Sequence, residues 1–150
     1  MKKVIIYTDG AAKGNPGKGG YGTVLISGKH IKKISQGYSL TTNNRMELLA
    51  VIAGLEALNQ KCQVEVYSDS KYVVDSVEKG WVFGWEKKNF SNKKNIDLWT
   101  RFLTVYRNHT VKFHWVKGHS GNKYNEMCDQ LAVSASEASN LLKDEGYDSI

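Results

Sequence analysis

Asp9, Glu47, Asp69 and Asp129 are the residues of this 150-residue chain best placed to do chemistry together. Asp9 closes an apolar run, Val4-Ile5-Ile6-Tyr7-Thr8, and Asp69 closes a second, Val64-Glu65-Val66-Tyr67-Ser68. Glu47 falls in the first turns of a predicted helix and Asp129 near the start of another. Carboxylates from different elements can converge on a hard divalent cation, which prefers oxygen ligands. Without a cation they repel, and one or more takes a raised pKa. With two ions about 4 Å apart, such a cluster cleaves phosphodiesters: one ion activates water and the other stabilises the leaving oxygen. A single Asp at a strand end is more often a turn former or helix cap, so the combination carries the argument.

Other residues add to this chemistry. His119 follows a predicted strand and lies between glycines, in Val116-Lys117-Gly118-His119-Ser120-Gly121. A histidine on such a loop, near a metal site, could shuttle a proton or help product leave. His30, His109 and His114 lie in strands or at a helix end, where core or surface roles fit better. No Cys/His cluster has zinc spacing. The segment 81–94 interleaves Trp81, Phe83, Trp85 and Phe90 with Lys87, Lys88, Lys93 and Lys94. That mixture can hold a nucleic-acid backbone by charge and pack sugars or bases by stacking. A plainer account is an amphipathic helix with Trp81 and Trp85 on its core face, and both can hold at once. The glycine-rich stretch 10–20 lacks the order of a P-loop. Its backbone amides could still approach a sugar or phosphate, and a flexible hairpin loop is the competing account.

The body around these residues is basic. The formal charge is +6, with a pI near 9.2. Residues 137–150 hold four acidic groups against one lysine, a net of −3, which leaves +9 on residues 1–136. An acidic pocket on a basic body suits a polyanionic partner such as nucleic acid. Hydrophobic residues make up 41% of the chain, enough for a core, and the length suits one domain. Two cysteines without paired spacing read as free thiols of a reducing compartment. No apolar run approaches a membrane span. The short apolar start reads as a strand rather than a signal peptide, so a cytoplasmic protein is expected.

The elements that must position these groups follow from periodicity and punctuation. Residues 2–9 read as a strand buried on both faces. Residues 10–20 read as turn material. Strands at 21–27 and 30–38, joined by Gly28-Lys29, give an antiparallel meander. Thr41-Thr42-Asn43-Asn44 offers N-caps for a helix reaching about Asn59. On it Glu47 shares a face with Ala50, Val51, Gly54 and Leu58; a half-exposed surface Glu is the alternative. A strand at 64–69 follows, with Ser70 capping a short helix to Glu78. A helix at 96–107 buries Ile96, Leu98, Trp99, Phe102, Leu103 and Tyr106. A strand at 111–116, a loop at 117–123 and a helix from Tyr124 to about Leu142 complete the chain, and residues 143–150 form a frayed acidic end. The order predicts an α/β fold with a mixed sheet that includes a parallel pairing. No repeat or interdomain linker interrupts it.

At this point the motifs, taken in order, resemble the type 1 ribonuclease H family, its bacterial ribonuclease HI members most closely. They are Tyr7-Thr8-Asp9-Gly10-Ala11, Gly14-Asn15-Pro16-Gly17, Thr41-Thr42-Asn43-Asn44-Arg45-Met46-Glu47, Tyr67-Ser68-Asp69-Ser70, Trp115-Val116-Lys117-Gly118-His119-Ser120-Gly121 and Asn125-Glu126-Met127-Cys128-Asp129. Together they span Tyr7 to about Ala132. The resemblance implies a ribonuclease H-like fold: a five-stranded mixed sheet, its first three strands antiparallel, with helices on both faces. It implies a catalytic domain over 1–142 that cuts the RNA strand of RNA–DNA hybrids, leaving 5′-phosphate and 3′-hydroxyl ends. Two Mg²⁺ ions, replaceable by Mn²⁺, would be held with Asp9 bridging, Glu47 and Asp69 on one and Asp129 on the other. His119 would assist turnover. Asn15 would touch RNA 2′-hydroxyls, Asn43 and Asn44 the minor groove, and Thr42 a phosphate of the DNA strand. Trp81, Trp85, Lys87 and Lys88 belong to a basic handle at about 80–94, and Lys71 to a further RNA contact. No obligate protein partner is implied, and a monomer is expected.

The chain departs from that pattern at Lys71, where Gln is frequent, and at Phe90, where Trp is common. Glu86 also dilutes the handle lysines. Two other readings compete. A strand-transfer or junction-resolving nuclease would call for an additional DNA-binding domain. A non-catalytic nucleic-acid binding module would call for a broken acidic set, whereas all four positions are filled.

Overall fold

The structure is a computed structural model and describes residues 1–118 and 121–147. The elements run β1 (Lys2–Lys13), β2 (Gly17–Ser27), β3 (His30–Thr41), α1 (Asn43–Glu56), β4 (Cys62–Ser68), α2 (Lys71–Glu78), α3 (Trp81–Lys87), α4 (Ile96–Tyr106), β5 (Thr110–Trp115) and α5 (Lys123–Glu137). One sheet holds all five strands in the order β3-β2-β1-β4-β5. β1, β2 and β3 pair antiparallel, whereas β4 runs parallel to β1 and β5 parallel to β4. Of the two parallel seams, the one between β1 and β4 joins the strands that lead to Asp9 and Asp69.

Helices cover both faces. α1 lies on one face, where its Gly54 sits against the side chains of Ile6 and Thr23. α4 packs beside it, with the Phe102 ring 6.0 Å from Phe113 of β5. Ile6, Val24, Val64, Val66, Met46, Leu48, Ile52, Trp99 and Phe102 are all fully buried between these layers. α5 covers the other face over β1, β2 and β3. It comes so close that a Cβ on Gly20, Gly22 or Gly37 would strike its backbone.

Several expectations change. The glycine stretch is mostly ladder rather than turn: β1 continues to Lys13, and Gly10, Ala11 and Ala12 pair with Tyr21, Gly20 and Gly19. At Gly10 and Gly20 the missing Cβ makes room for α1 and α5, whereas Gly14, with φ 85°, keeps its turn. β1 is not buried on both faces, because Ile5 remains 38% exposed where α5 does not reach. Ile96 is also exposed, at the first turn of α4. α1 stops at Glu56, short of Asn59. α5 stops at Glu137, because Ala138 turns extended with ψ 164°. The chain then reaches the open edge of β3: Ser39 N donates to Leu142 O, and Leu142 N to Gly37 O. Of the end expected to fray, residues 143–147 are held in place, with Asp144 buried, and residues 148–150 lie outside the described residues.

Candidate metal centre and nucleic-acid interface

Asp9 and Asp69 come together through register. β1 and β4 pair with a constant offset, Lys2 with Cys62 through Tyr7 with Tyr67. Asp9 and Asp69 share that offset just beyond the last pair, so both lie at the C-terminal end of the parallel seam, where open α/β sheets form their sites. Glu47 arrives from α1. Thr42 caps that helix by accepting from Arg45 N at 3.3 Å, and Asn15 accepts from Asn43 N at 3.2 Å. The approach of α1 to β1 requires Gly10, because a Cβ there would strike the backbone of Met46 and Glu47.

Asp9, Glu47 and Asp69 each place a carboxylate oxygen within 4.8 Å of the others. Asp129, from α5, lines a small cavity of about 10 Å³ with Asp9, Asp69, Thr8, Gly118, Asn125 and Glu126. Its side chain also reaches Asp9. Burial, then the Asp69 charge, push Asp9 up to about 8, although Gly10 N donates to its Oδ1 at 2.9 Å. Burial raises Glu47 well above the usual carboxylate range, and the charges of Asp9 and Asp69 add to this. Glu47 Oε1, Asp69 Oδ1 and Asn125 Oδ1 are buried without a hydrogen-bond donor among the described residues. Buried acceptors without donors are costly. An acidic cluster with such oxygens and space for a single atom fits a hard cation.

Asn125 and Gly118 were not singled out from sequence. Asn125 lies one turn before Asp129, so i, i+4 spacing could have flagged it. Gly118 leaves no room for a Cβ, which would stand 2.8 Å from Asp69 Oδ2. His119 lies outside the described residues. Two other histidines have local roles: His109 Nδ1 accepts from Cys62 N at 3.1 Å, and His114 stacks on Tyr67 and meets Glu65 at 3.0 Å. A larger cavity, about 570 Å³, lies elsewhere, between the C-terminal ends of α1 and α4. Glu56 in it is already paired with Arg101.

The residues expected to touch substrate fall on several elements. Asn43 and Asn44 are exposed on the first turn of α1. Asn15, Thr42 and Asn44 line a second cavity of about 490 Å³ together with Lys94 and Asn95. Lys71 lies over the ring of Trp115 at 4.8 Å, and Trp115 Nε1 donates to Asp69 O at 3.0 Å. In the handle the two tryptophans part company. Trp81 is 47% exposed, whereas Trp85 packs edge-on against the buried Trp99 with centroids 5.9 Å apart. Lys87 and Lys88 are exposed, and Arg107 pairs with Glu86 through both carboxylate oxygens. That pairing offsets the charge dilution expected from Glu86. Among the described residues no helix is long and apolar enough to cross a membrane.

The family model described as RNase H matches residues 1–137. A ribonuclease H of Rippkaea orientalis is 55% identical over 152 aligned residues, covering 98% of this chain and 93% of that protein. A ribonuclease H of Desulforamulus reducens is 53% identical, covering 96% of this chain and 94% of that one. Among solved structures, LC9-RNase H1, a type 1 enzyme with the type 2 active-site motif, superposes with a TM-score of 0.83. It is 28% identical and covers 91% of this chain and 73% of that one.

Proposed function

The chain belongs to the ribonuclease H family and is a nuclease, and from that premise we propose that it hydrolyses the RNA strand of RNA–DNA hybrids, leaving 5′-phosphate and 3′-hydroxyl ends. The observation that carries the chemistry is the meeting of Asp9, Glu47 and Asp69, with Glu47 Oε1 and Asp69 Oδ1 lacking donors among the described residues. Asp9, Glu47, Asp69 and Asp129 would hold two Mg²⁺ ions, with Mn²⁺ as a substitute, which would supply activation of the attacking water and stabilisation of the leaving oxygen.

The chain's own residues do the rest. Gly10 N–H holds Asp9 Oδ1 in place, and the closeness of α1 to β1 at Gly10 fixes Glu47 beside it. Asn15, Asn43 and Asn44 offer amides that both donate and accept. Such groups can read the 2′-hydroxyl, which separates RNA from DNA. Thr42 takes a phosphate of the DNA strand. Lys87 and Lys88, with the exposed face of Trp81 and the seated Trp85, grip the DNA backbone. Lys71, whose ammonium lies over the Trp115 ring, makes a further RNA contact, and His119 helps the product leave. Buried free Cys62 and Cys128 suit a reducing cytoplasm, where the chain works as a monomer.

Analysis of product ends tests this reading. Fragments of the RNA strand should be ligatable at their 5′ ends without prior phosphorylation and extendable at their 3′ ends. Fragments carrying 2′,3′-cyclic or 3′-phosphate ends would refute it, since they arise from attack by the RNA's own 2′-hydroxyl.

A further inference from the structure

Trp115 is a large aromatic side chain that the fold does not use as core. It ends β5 and is 45% exposed. Its polar edge, in contrast, is engaged: Nε1 donates to the backbone carbonyl of Asp69 at 3.0 Å. The sheet explains why that carbonyl needs a side-chain donor. β4 and β5 pair in register as far as Ser68 with Trp115, and Val116 N then donates back to Ser68 O at 2.9 Å. The ladder therefore stops one residue short of the Asp69 carbonyl, and the indole takes over there.

The rest of this corner is fixed around Asp69. Ser68 Oγ accepts from Ser70 N at 3.1 Å, and Ser70 Oγ accepts from Val73 N at 3.2 Å to cap α2. Gly118, further along the segment that Trp115 begins, lies against the Asp69 carboxylate, where a Cβ would stand 2.8 Å from Oδ2. Lys71 reaches back from α2 and sets its ammonium 4.8 Å from the centre of the Trp115 ring. A cation over the ring face and a carbonyl at its N–H edge together hold the indole in one orientation. The Asp69 side chain thus extends from a pinned peptide, with its Oδ1 buried and lacking a donor among the described residues. Groups behind a metal ligand orient it, and a ligand that must be ordered as the ion binds loses affinity to that ordering.

We infer that Trp115 is a positioning residue for the metal centre, its indole N–H holding the Asp69 peptide so that the carboxylate is aimed before the cation arrives. This rests on the acidic cluster being a cation site. Trp115 acts through Asp69 rather than on the cation, and it ties that ligand to the segment leading to His119.

The test follows the full chain, labelled with ¹⁵N, by NMR. Without metal, the indole N–H of Trp115 should exchange with water about tenfold more slowly than that of Trp81, which is equally exposed on the handle. Mg²⁺ is then titrated, with the Gly10 N–H that donates to Asp9 Oδ1 as the reporter of binding in every variant. Trp115→Phe keeps an aromatic ring and removes the donor. It should raise the Kd for Mg²⁺ about three- to tenfold, the range that one neutral hydrogen bond spans. The Mg²⁺ concentration for half-maximal cutting should rise by the same factor, while KM for hybrid at saturating Mg²⁺ stays within about twofold. Trp115→His places a ring N–H where the indole had one and should recover most of the affinity. A lower Tm with unchanged Mg²⁺ affinity in Trp115→Phe, or equal weakening in the Phe and His variants, would overturn the proposal. A wild type whose Gly10 N–H ignores Mg²⁺ would overturn the cation site and the proposal with it. A wild type that shows the Mg²⁺ effects but cuts no RNA would refute the proposed function and leave the tie from Trp115 to Asp69 standing.

Discussion

Replacing Asp9 by Asn should make the metal-free protein more stable while abolishing cleavage. The reasoning is linkage. Burial and the Asp69 charge hold Asp9 at about 8 in the folded chain, against an ordinary value of 3.8. Between those values the folded state binds more protons than the unfolded state, so stability falls as pH rises. The slope is about 1.4 kcal/mol per pH unit for one group. At pH 7 the strain on Asp9 alone has a ceiling of about 4 kcal/mol, with relaxation of the cluster lowering it. Asn removes the charge and keeps an oxygen for Gly10 N–H. A domain of this size gains roughly 2–4 °C in Tm per kcal/mol, so half the ceiling is a rise of about 4–8 °C. The assay is thermal unfolding in chelator from pH 5 to pH 8. Wild type should lose stability across that window, the variant should lose less, and the gap should widen with pH. Adding Mg²⁺ should stabilise wild type and narrow the gap. A variant no more stable than wild type at pH 7 in chelator would refute the claim that these carboxylates strain one another.

Three further outcomes follow from other parts of the structure. Arg45→Met leaves the buried Asp144 without its partner and should cost about 3–5 kcal/mol by denaturant titration; a loss below 1 kcal/mol would mean the pair is not a real constraint. Gly10→Ala forces α1 away from β1 and should cost about 1–3 kcal/mol, with a larger loss of kcat than of hybrid affinity. Removing Lys87 and Lys88 should weaken hybrid binding and reduce the slope of log K against log salt by up to about 2, close to one per phosphate contact. An unchanged slope would detach the handle from the substrate.

The parts of the site legible in the sequence were those fixed by local pattern. Asp9 and Asp69 each end an apolar strand, and parallel pairing of those strands brings them together. Glu47 was legible because a carboxylate on an apolar helical stripe demands a partner. Asn125 was not, since an amide in the first turn of a helix looks like ordinary capping. Gly10 and Gly20 were misjudged because a turn and a tight helix-on-strand contact both require the missing Cβ, and only the packed layers tell them apart. The tail was misjudged for a different reason. Asp144 pairs with Arg45 across 99 residues of chain, and no local periodicity records a contact at that distance.

The most direct test of the central claim labels each strand of a blunt RNA–DNA hybrid separately and follows both with purified protein, in Mg²⁺ and in chelator. The account predicts cuts in the RNA strand alone, present with the ion and absent with chelator. Cutting of the DNA strand, or cutting of RNA that survives chelation, would contradict it.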